Sequence, residues 1–158
     1  LIIAKNLKAT KLFAKLFKEQ AINKIYVSLC QGIPKNLNSI VKLKIKNKIN
    51  NNVKTITKYK VIKKRNRISL NLFKPFTGKT HQLRIISKYL NCPIIGDSKY
   101  NFNNKYKLEK LKLNAHYLKF DFNGQEYEFN SILPSHFVKF MKKNNLYIKL
   151  DKYINDLL

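Results

Sequence analysis

The stretch Thr77-Gly78-Lys79-Thr80-His81-Gln82-Leu83-Arg84, running on through Cys92-Pro93-Ile94-Ile95-Gly96-Asp97 to Tyr100, organises the chain. Pro75 stops the strand-like segment Ile68 to Phe73, and Thr77-Gly78 turns the backbone. Thr80 can then cap a helix from His81 to about Leu90, with Pro93 closing the region. Several polar side chains and Arg84 fall within these few residues. Only three arginines stand against 30 lysines in the chain. A guanidinium at position 84 therefore marks a need for a planar, permanently charged fork that lysine cannot supply.

Strand signals lie on both sides of this unit. Upstream, Leu1 to Ala4 reads as a buried apolar strand, and Asn6 can cap a helix from Leu7 to Gln20 whose apolar residues recur at helical spacing. Ile22 to Leu29 is rich in β-branched and aromatic residues and is closed by Gly32 and Pro34. Asn36 to Asn52 alternates apolar residues with lysines, as an edge strand protected against further pairing would. Thr55 to Ile62 and Ile68 to Phe73 form a hairpin with the basic tip Lys63-Lys64-Arg65-Asn66-Arg67. Downstream, Ala115 to Phe122 and Gln125 to Ile132 flank Asn123-Gly124, a strong hairpin turn signal. Pro134 opens a helix over about Ser135 to Lys143, and the tail can add a short one. Antiparallel strands with helices inserted between them predict one α+β domain over residues 1–158, a mixed, largely antiparallel sheet flanked by helices.

Composition narrows the function. A hydrophobic fraction of 44% supports a packed core in a chain of 158 residues. No apolar run approaches the length of a membrane span, about 18 residues, so a soluble, cytoplasmic protein without a membrane partner is expected. Cys30 and Cys92 make neither a disulfide framework nor a metal-ligand spacing. The net charge of +25 is lopsided: residues 1–96 carry 22 basic residues against the single acid Glu19. A field of this strength recruits polyanions, nucleic acid first among them. Drift in an AT-rich genome accounts for part of the lysine excess, but less well for its asymmetry.

The candidate site residues each have a functional and a plain structural reading. His81 is a positioning residue or a base, and Asp97, between Gly96 and Ser98, is a turn former or a catalytic carboxylate. Tyr26 is a core aromatic or a platform for a base. The tip Lys63 to Arg67 is a solvated hairpin end or a phosphate clamp. His116 and His136 have no ligand types near them in sequence, and no metal site is expected.

The same residues carry a family resemblance. Thr77 to Arg84, with Pro93-Ile94-Ile95-Gly96-Asp97 and Tyr100, resembles the T-G-R-T-H-Q-I-R, P-I-x-G-D, Y signature of the ribosomal large-subunit pseudouridine synthases, most like the C and D types. Leu1 to Lys5, Lys24 to Leu29 with Gly32, and Leu113 to His116 with Phe120, Gly124, Phe129 and Leu133-Pro134 match further segments of that family in order. The resemblance implies the family's α+β fold and a cofactor-free isomerisation of uridine to pseudouridine, with RNA of the 23S type as partner and a monomeric enzyme. It implies that Arg84 pairs with the carboxylate of the family's nucleophilic aspartate, and that Tyr26 contacts the flipped base. It also implies that Lys79, His81 and Gln82 line the cleft and meet the RNA backbone. The charge of the chain, apart from the resemblance, tips the reading of Lys63, Lys64, Arg65 and Arg67 toward RNA contacts.

The departures are specific. Lys79 replaces the usual Arg, Ile86 stands where a His is common, and Cys92 and Asn114 each replace a frequent His. The family's H-R-L-D-x-x-T-S-G loop, which carries the nucleophile, ends where this chain begins. On its own the chain is expected to bind RNA weakly and to leave uridine unchanged. The alternatives are a non-catalytic RNA-binding remnant of such an enzyme and a generic basic ribosome-associated protein; the latter leaves Thr77 to Arg84 unexplained.

Overall fold

A single six-stranded sheet carries the chain in a computed structural model that describes residues 2–46, 49–101 and 105–158. In chain order the elements are α1 (Leu7–Lys18), β1 (Asn23–Gln31), β2 (Asn38–Lys46), β3 (Asn52–Arg65), β4 (Ile68–Pro75), α2 (Gln82–Tyr89), β5 (Leu113–Phe122), β6 (Gln125–Asn130), α3 (Ser135–Lys143) and α4 (Asp151–Asn155). The strand order is β2-β3-β4-β1-β5-β6, and every neighbouring pair is antiparallel. The α+β class is as expected, and the sheet is antiparallel throughout the described residues rather than mixed.

Turn chemistry and alternation explain the register. Asn123 and Gly124 adopt positive φ (55° and 76°), the geometry that lets a two-residue turn follow the twist of β5 and β6. Asn66 and Arg67 do the same between β3 and β4, at φ 48° and 60°. The tip is thus narrower than expected: Lys63, Lys64 and Arg65 belong to β3 and pair with Leu70, Ser69 and Ile68. The lysine-studded β2 forms one edge of the sheet, where its charges oppose pairing with another chain.

Strand β4 is buried along its whole length because both faces of the sheet centre are covered. Ile25, Val27 and Leu29 of β1 and Ile68, Leu70 and Leu72 of β4 point to one face, under Phe137, Phe140 and Met141 of α3 and Leu150, Ile154 and Leu157 of the tail. The opposite face carries Phe73 and Tyr59, covered by Leu83 and Ile86 of α2. Period-2 alternation in β1 and β4 therefore sorts residues between two cores. Lys24, Tyr26, Ser28 and Cys30 share the α2 face by the same alternation.

The N-terminal region departs from its expected form. Leu1 lies outside the described residues, and Ile2 to Ala4 form no strand, with Ile3 exposed. Asn6 caps α1 by accepting from the Ala9 N–H at 2.8 Å, as expected. Helix α1 has no fully buried residue; Phe13 rests on the rings of Phe120 and Phe122, 5.5 and 5.6 Å away.

Candidate active site

The loop between β4 and α2 is shaped by one amide. Gln82 is only 4% exposed. Its Oε1 accepts from the Thr77 hydroxyl at 2.9 Å and the Lys79 N–H at 3.0 Å. Its Nε2 donates to the Thr57 hydroxyl at 2.9 Å and the Ile56 carbonyl at 3.3 Å. Gln82 thus ties the turn to β3 and is spent inside the protein. The expected Thr80 cap is absent: His81 occupies the N-cap position with left-handed backbone (φ 55°), and no side chain caps the helix. Histidine is among the residues that tolerate this region, and such conformations cluster where a side chain must be aimed.

Helix α2 then presents Arg84 to Asp97. Arg84 Nε donates to Asp97 Oδ2 and Nη2 to Oδ1, both at 2.7 Å. Asp97 Oδ1 also accepts the Lys99 and Tyr100 N–H groups, each at 2.9 Å. Burial works to raise the Asp97 carboxyl, but the Arg84 bonds and the two backbone donors outweigh it and hold the group below the ordinary carboxylate range. Arg84 is raised in turn, chiefly by its hydrogen bond to Asp97. The Asp97 side chain is wholly inaccessible. It is a fixed partner and is not placed to attack a nucleotide. Within the chain, the carboxylate that the Arg84 fork grips is that of Asp97, through Nε and Nη2.

Gly96 makes this geometry possible. Its φ is +76°, and a Cβ there would lie 2.5 Å from the Lys110 carbonyl group. Only glycine lets the chain pass this close and deliver Asp97.

Tyr100 completes the cluster. The Arg84 guanidinium carbon lies 5.1 Å from its ring centroid, and the hydroxyl stands 3.1 Å from His81 Nδ1. Fork-on-carboxylate and cation-on-ring contacts together fix the plane of Arg84.

Tyr26, half-buried on β1, shares with Arg84, His81, Lys79 and Gly78 the wall of a cleft of about 250 Å³. Burial raises its phenol above the ordinary range, so it stays neutral. A second hollow of about 510 Å³, bounded by Phe17, Lys24, His116 and Ser131, meets the cleft at Tyr26. The structure thus brings together Tyr26, Lys79, His81 and Arg84.

The basic hairpin is elsewhere. Ile68 and Pro75 are the two ends of β4, roughly 20 Å apart at strand rise. Lys63, Lys64, Arg65 and Arg67 cluster at the Ile68 end, far from the cleft, with Lys63 Nζ donating to the Tyr147 carbonyl at 3.3 Å. Sequence reasoning overlooked three contributors to the site: Asp97 as the Arg84 partner, Tyr100 under the guanidinium, and the buried Lys24. All three stood in matched segments of the sequence, and only Asp97, a Gly-Asp pair close to a rare arginine, hinted at its partner.

Comparison with known proteins follows the same segments. A family model described as RNA pseudouridylate synthase matches residues 1–89. Ribosomal large subunit pseudouridine synthase D of Borreliella burgdorferi is 31% identical over 173 aligned residues, covering 100% of this chain and 52% of that protein. Ribosomal large subunit pseudouridine synthase C of Rickettsia bellii is 35% identical, covering 87% of this chain and 50% of the relative. The chain thus spans about half the length of these curated relatives. The solved structure of Human RNA Pseudouridylate Synthase Domain Containing 4 superposes with a TM-score of 0.80 at 22% identity, over 90% of this chain and 70% of the other. This last likeness concerns the fold.

Proposed function

The chain belongs to the RNA pseudouridylate synthase family, and from that premise we propose that it supplies the arginine and tyrosine half of a site that isomerises uridine to pseudouridine in 23S-type large-subunit rRNA. The observation that carries this is the Arg84 fork, locked by Asp97 and Tyr100 on the wall of the cleft that Tyr26 also lines.

In this reading a carboxylate on an H-R-L-D-type segment, a motif these 158 residues do not contain, attacks the nucleotide. The bond between ribose C1′ and N1 of the base breaks, and the base turns. C5 then bonds to C1′, displacing the carboxylate, and loses its proton to solvent while N1 takes one up. Arg84 Nη1, which Asp97 does not engage, faces the attacking carboxylate and favours its ionised form. Asp97 acts through Arg84 by fixing its plane. Tyr26 contacts the base after it leaves its stack. Lys79 and His81 meet the RNA backbone at the rim, while Lys64, Arg65 and Arg67, with Lys63, hold a distant phosphate of the same RNA. The protein works without a cofactor, as a cytoplasmic monomer.

The test joins the chain to an upstream segment bearing the aspartate motif and follows tritium released from [5-³H]uridine in transcribed large-subunit rRNA. The joined protein releases tritium and the 158-residue chain alone does not. No release from the joined protein, with folding verified, counts against the enzyme reading. Release by the chain alone contradicts the placement of the nucleophile.

A further inference from the structure

The Lys24 side chain is largely buried, and its ammonium faces an open hollow without a counter-charge. Lys24 is 8% exposed, yet among the described residues its ammonium has no carboxylate and no hydrogen-bond acceptor. Its one partner is the ring of Phe17, 5.4 Å from Nζ. A buried lysine in this state is costly, and burial alone pulls its pKa down. The other two buried lysines among the described residues each have an acceptor: Lys112 pairs with Glu109 at 2.6 Å, and Lys74 Nζ donates to the Leu158 carbonyl at 2.6 Å.

The surroundings of Lys24 are cationic. It sits at the base of a hollow of about 450 Å³ between the end of α1 and the Phe76 to Lys79 turn, whose walls include Phe17, Lys18, Phe76, Gly78 and Lys79 and no acidic residue. Glu19, next to Lys18 in sequence, faces Lys15 at 3.9 Å. The ammonium reaches the turn itself, since a Cβ at Gly78 would lie 4.0 Å from Nζ. Lys24 is also two residues before Tyr26 on the same face of β1, about 7 Å along the strand. That is the scale of the sugar that separates a base from its phosphate.

We infer that Lys24, with Lys18 and Lys79 at the rim, forms a phosphate subsite that holds the backbone phosphodiester of the nucleotide whose base lies against Tyr26. The inference rests on the RNA-modifying reading above, and it names the group that positions the target nucleotide. An incoming phosphate supplies the counter-charge and hydrogen-bond acceptors that the fold withholds from Lys24, so its binding offsets the burial cost.

Two measurements on the 158-residue chain test this. The first is the thermal midpoint in inorganic phosphate against chloride at equal ionic strength, for wild type, Lys24→Met and Lys18→Gln. The second is the salt dependence of binding to a uridine-containing RNA stem-loop. Wild type should be stabilised by phosphate and Lys24→Met should not. Lys24→Met should also melt higher than wild type in chloride, bind the RNA about tenfold more weakly, and show a log Kd against log salt slope smaller by about 0.7 to 0.9. Lys18→Gln, at an exposed position, should lose part of the phosphate effect. Unchanged RNA affinity and slope in Lys24→Met, with no phosphate effect in wild type, overturns the subsite and leaves the RNA reading standing. Phosphate protection that requires Lys24, in a chain with no affinity for RNA, supports the subsite and counts against the RNA reading. A lower melting point for Lys24→Met in chloride, with equal phosphate protection, overturns the subsite by showing a structural cation–ring role.

Discussion

Arg84 and Asp97 are joined by two parallel hydrogen bonds of 2.7 Å, with the carboxylate buried and the guanidinium only part-exposed. Removing one member of such a pair leaves a buried charge uncompensated, so its loss costs more than a surface ion pair would return. The carboxyl is held below its ordinary value of 3.8 in the folded protein. Its contribution to stability is therefore complete above that value and is lost as pH falls through the folded pKa. Thermal melts from pH 7 to pH 2 should show wild type losing stability below about pH 4. Asp97→Asn should be about 3 kcal/mol less stable at pH 7 and should lack this component of the acid limb. Parallel curves for the two proteins would show that the pair does not stabilise the fold.

Gln82 gives a contrast between holding the loop and holding RNA. Gln82→Ala removes the partner of the buried Thr57 hydroxyl and the bonds that fix Thr77 and the Lys79 N–H, and about 1–3 kcal/mol is expected to be lost for a buried group left unpaired. Urea unfolding should report a large loss of stability, whereas Lys79→Ala, on the surface, should leave the midpoint in place. In salt titrations of RNA binding the order should reverse, with Lys79→Ala lowering the slope and Gln82→Ala, where still folded, leaving it unchanged.

Gly96 should tolerate no side chain. Gly96→Ala faces both a left-handed backbone and a Cβ placed 2.5 Å from the Lys110 carbonyl, and a cost above about 2 kcal/mol is expected. Gly124→Ala is the control: its φ is also +76°, but no atom lies within 4 Å of the added Cβ. Chemical denaturation of the two variants separates the close approach from the conformational cost they share.

Tyr26 should matter to the reaction more than to association. In the chain joined to an upstream segment bearing the aspartate motif, Tyr26→Ala should lower turnover by about ten- to a hundredfold through the lost base contact, and RNA affinity by much less. Single-turnover rates and filter binding on the same RNA measure the two effects. An equal fall in both would make Tyr26 a plain binding residue.

What could be read from the residues alone is uneven for physical reasons. The two-residue turn at Asn123-Gly124, the Asn6 cap and the Pro134 helix start depend on local chemistry, and each is found where the sequence places it, whereas the Lys63 to Arg67 tip narrows to Asn66-Arg67. The edge position of β2 was legible in its alternating lysines. Leu1 to Ala4 was not: an apolar run reads as a strand only if a neighbouring strand is there to pair with it, and Ile2 to Ala4 pair with none among the described residues. Within the site, residue types were legible and partners were not. Asp97 resembles any turn aspartate until the fold carries α2 within 2.7 Å of it. Gln82 resembles a surface amide until β3 arrives beneath it. The burial of Lys24 arises where α1, β1 and the Gly78 turn converge, and no local pattern encodes that meeting.

The central claim is that the Asp97-locked guanidinium of Arg84 is required for chemistry and not merely for charge. The most direct measurement compares Arg84→Lys with wild type in the chain joined to an upstream segment bearing the aspartate motif, by tritium release from [5-³H]uridine rRNA, with folding verified by thermal melting and RNA binding by titration. A lysine keeps the charge but cannot bond both Asp97 oxygens in one plane and still face a second carboxylate. The expected result is a fall in turnover of at least about a hundredfold, the scale of losing a preorganised donor, with RNA affinity nearly unchanged. Undiminished turnover in folded Arg84→Lys would contradict the role given to this pair.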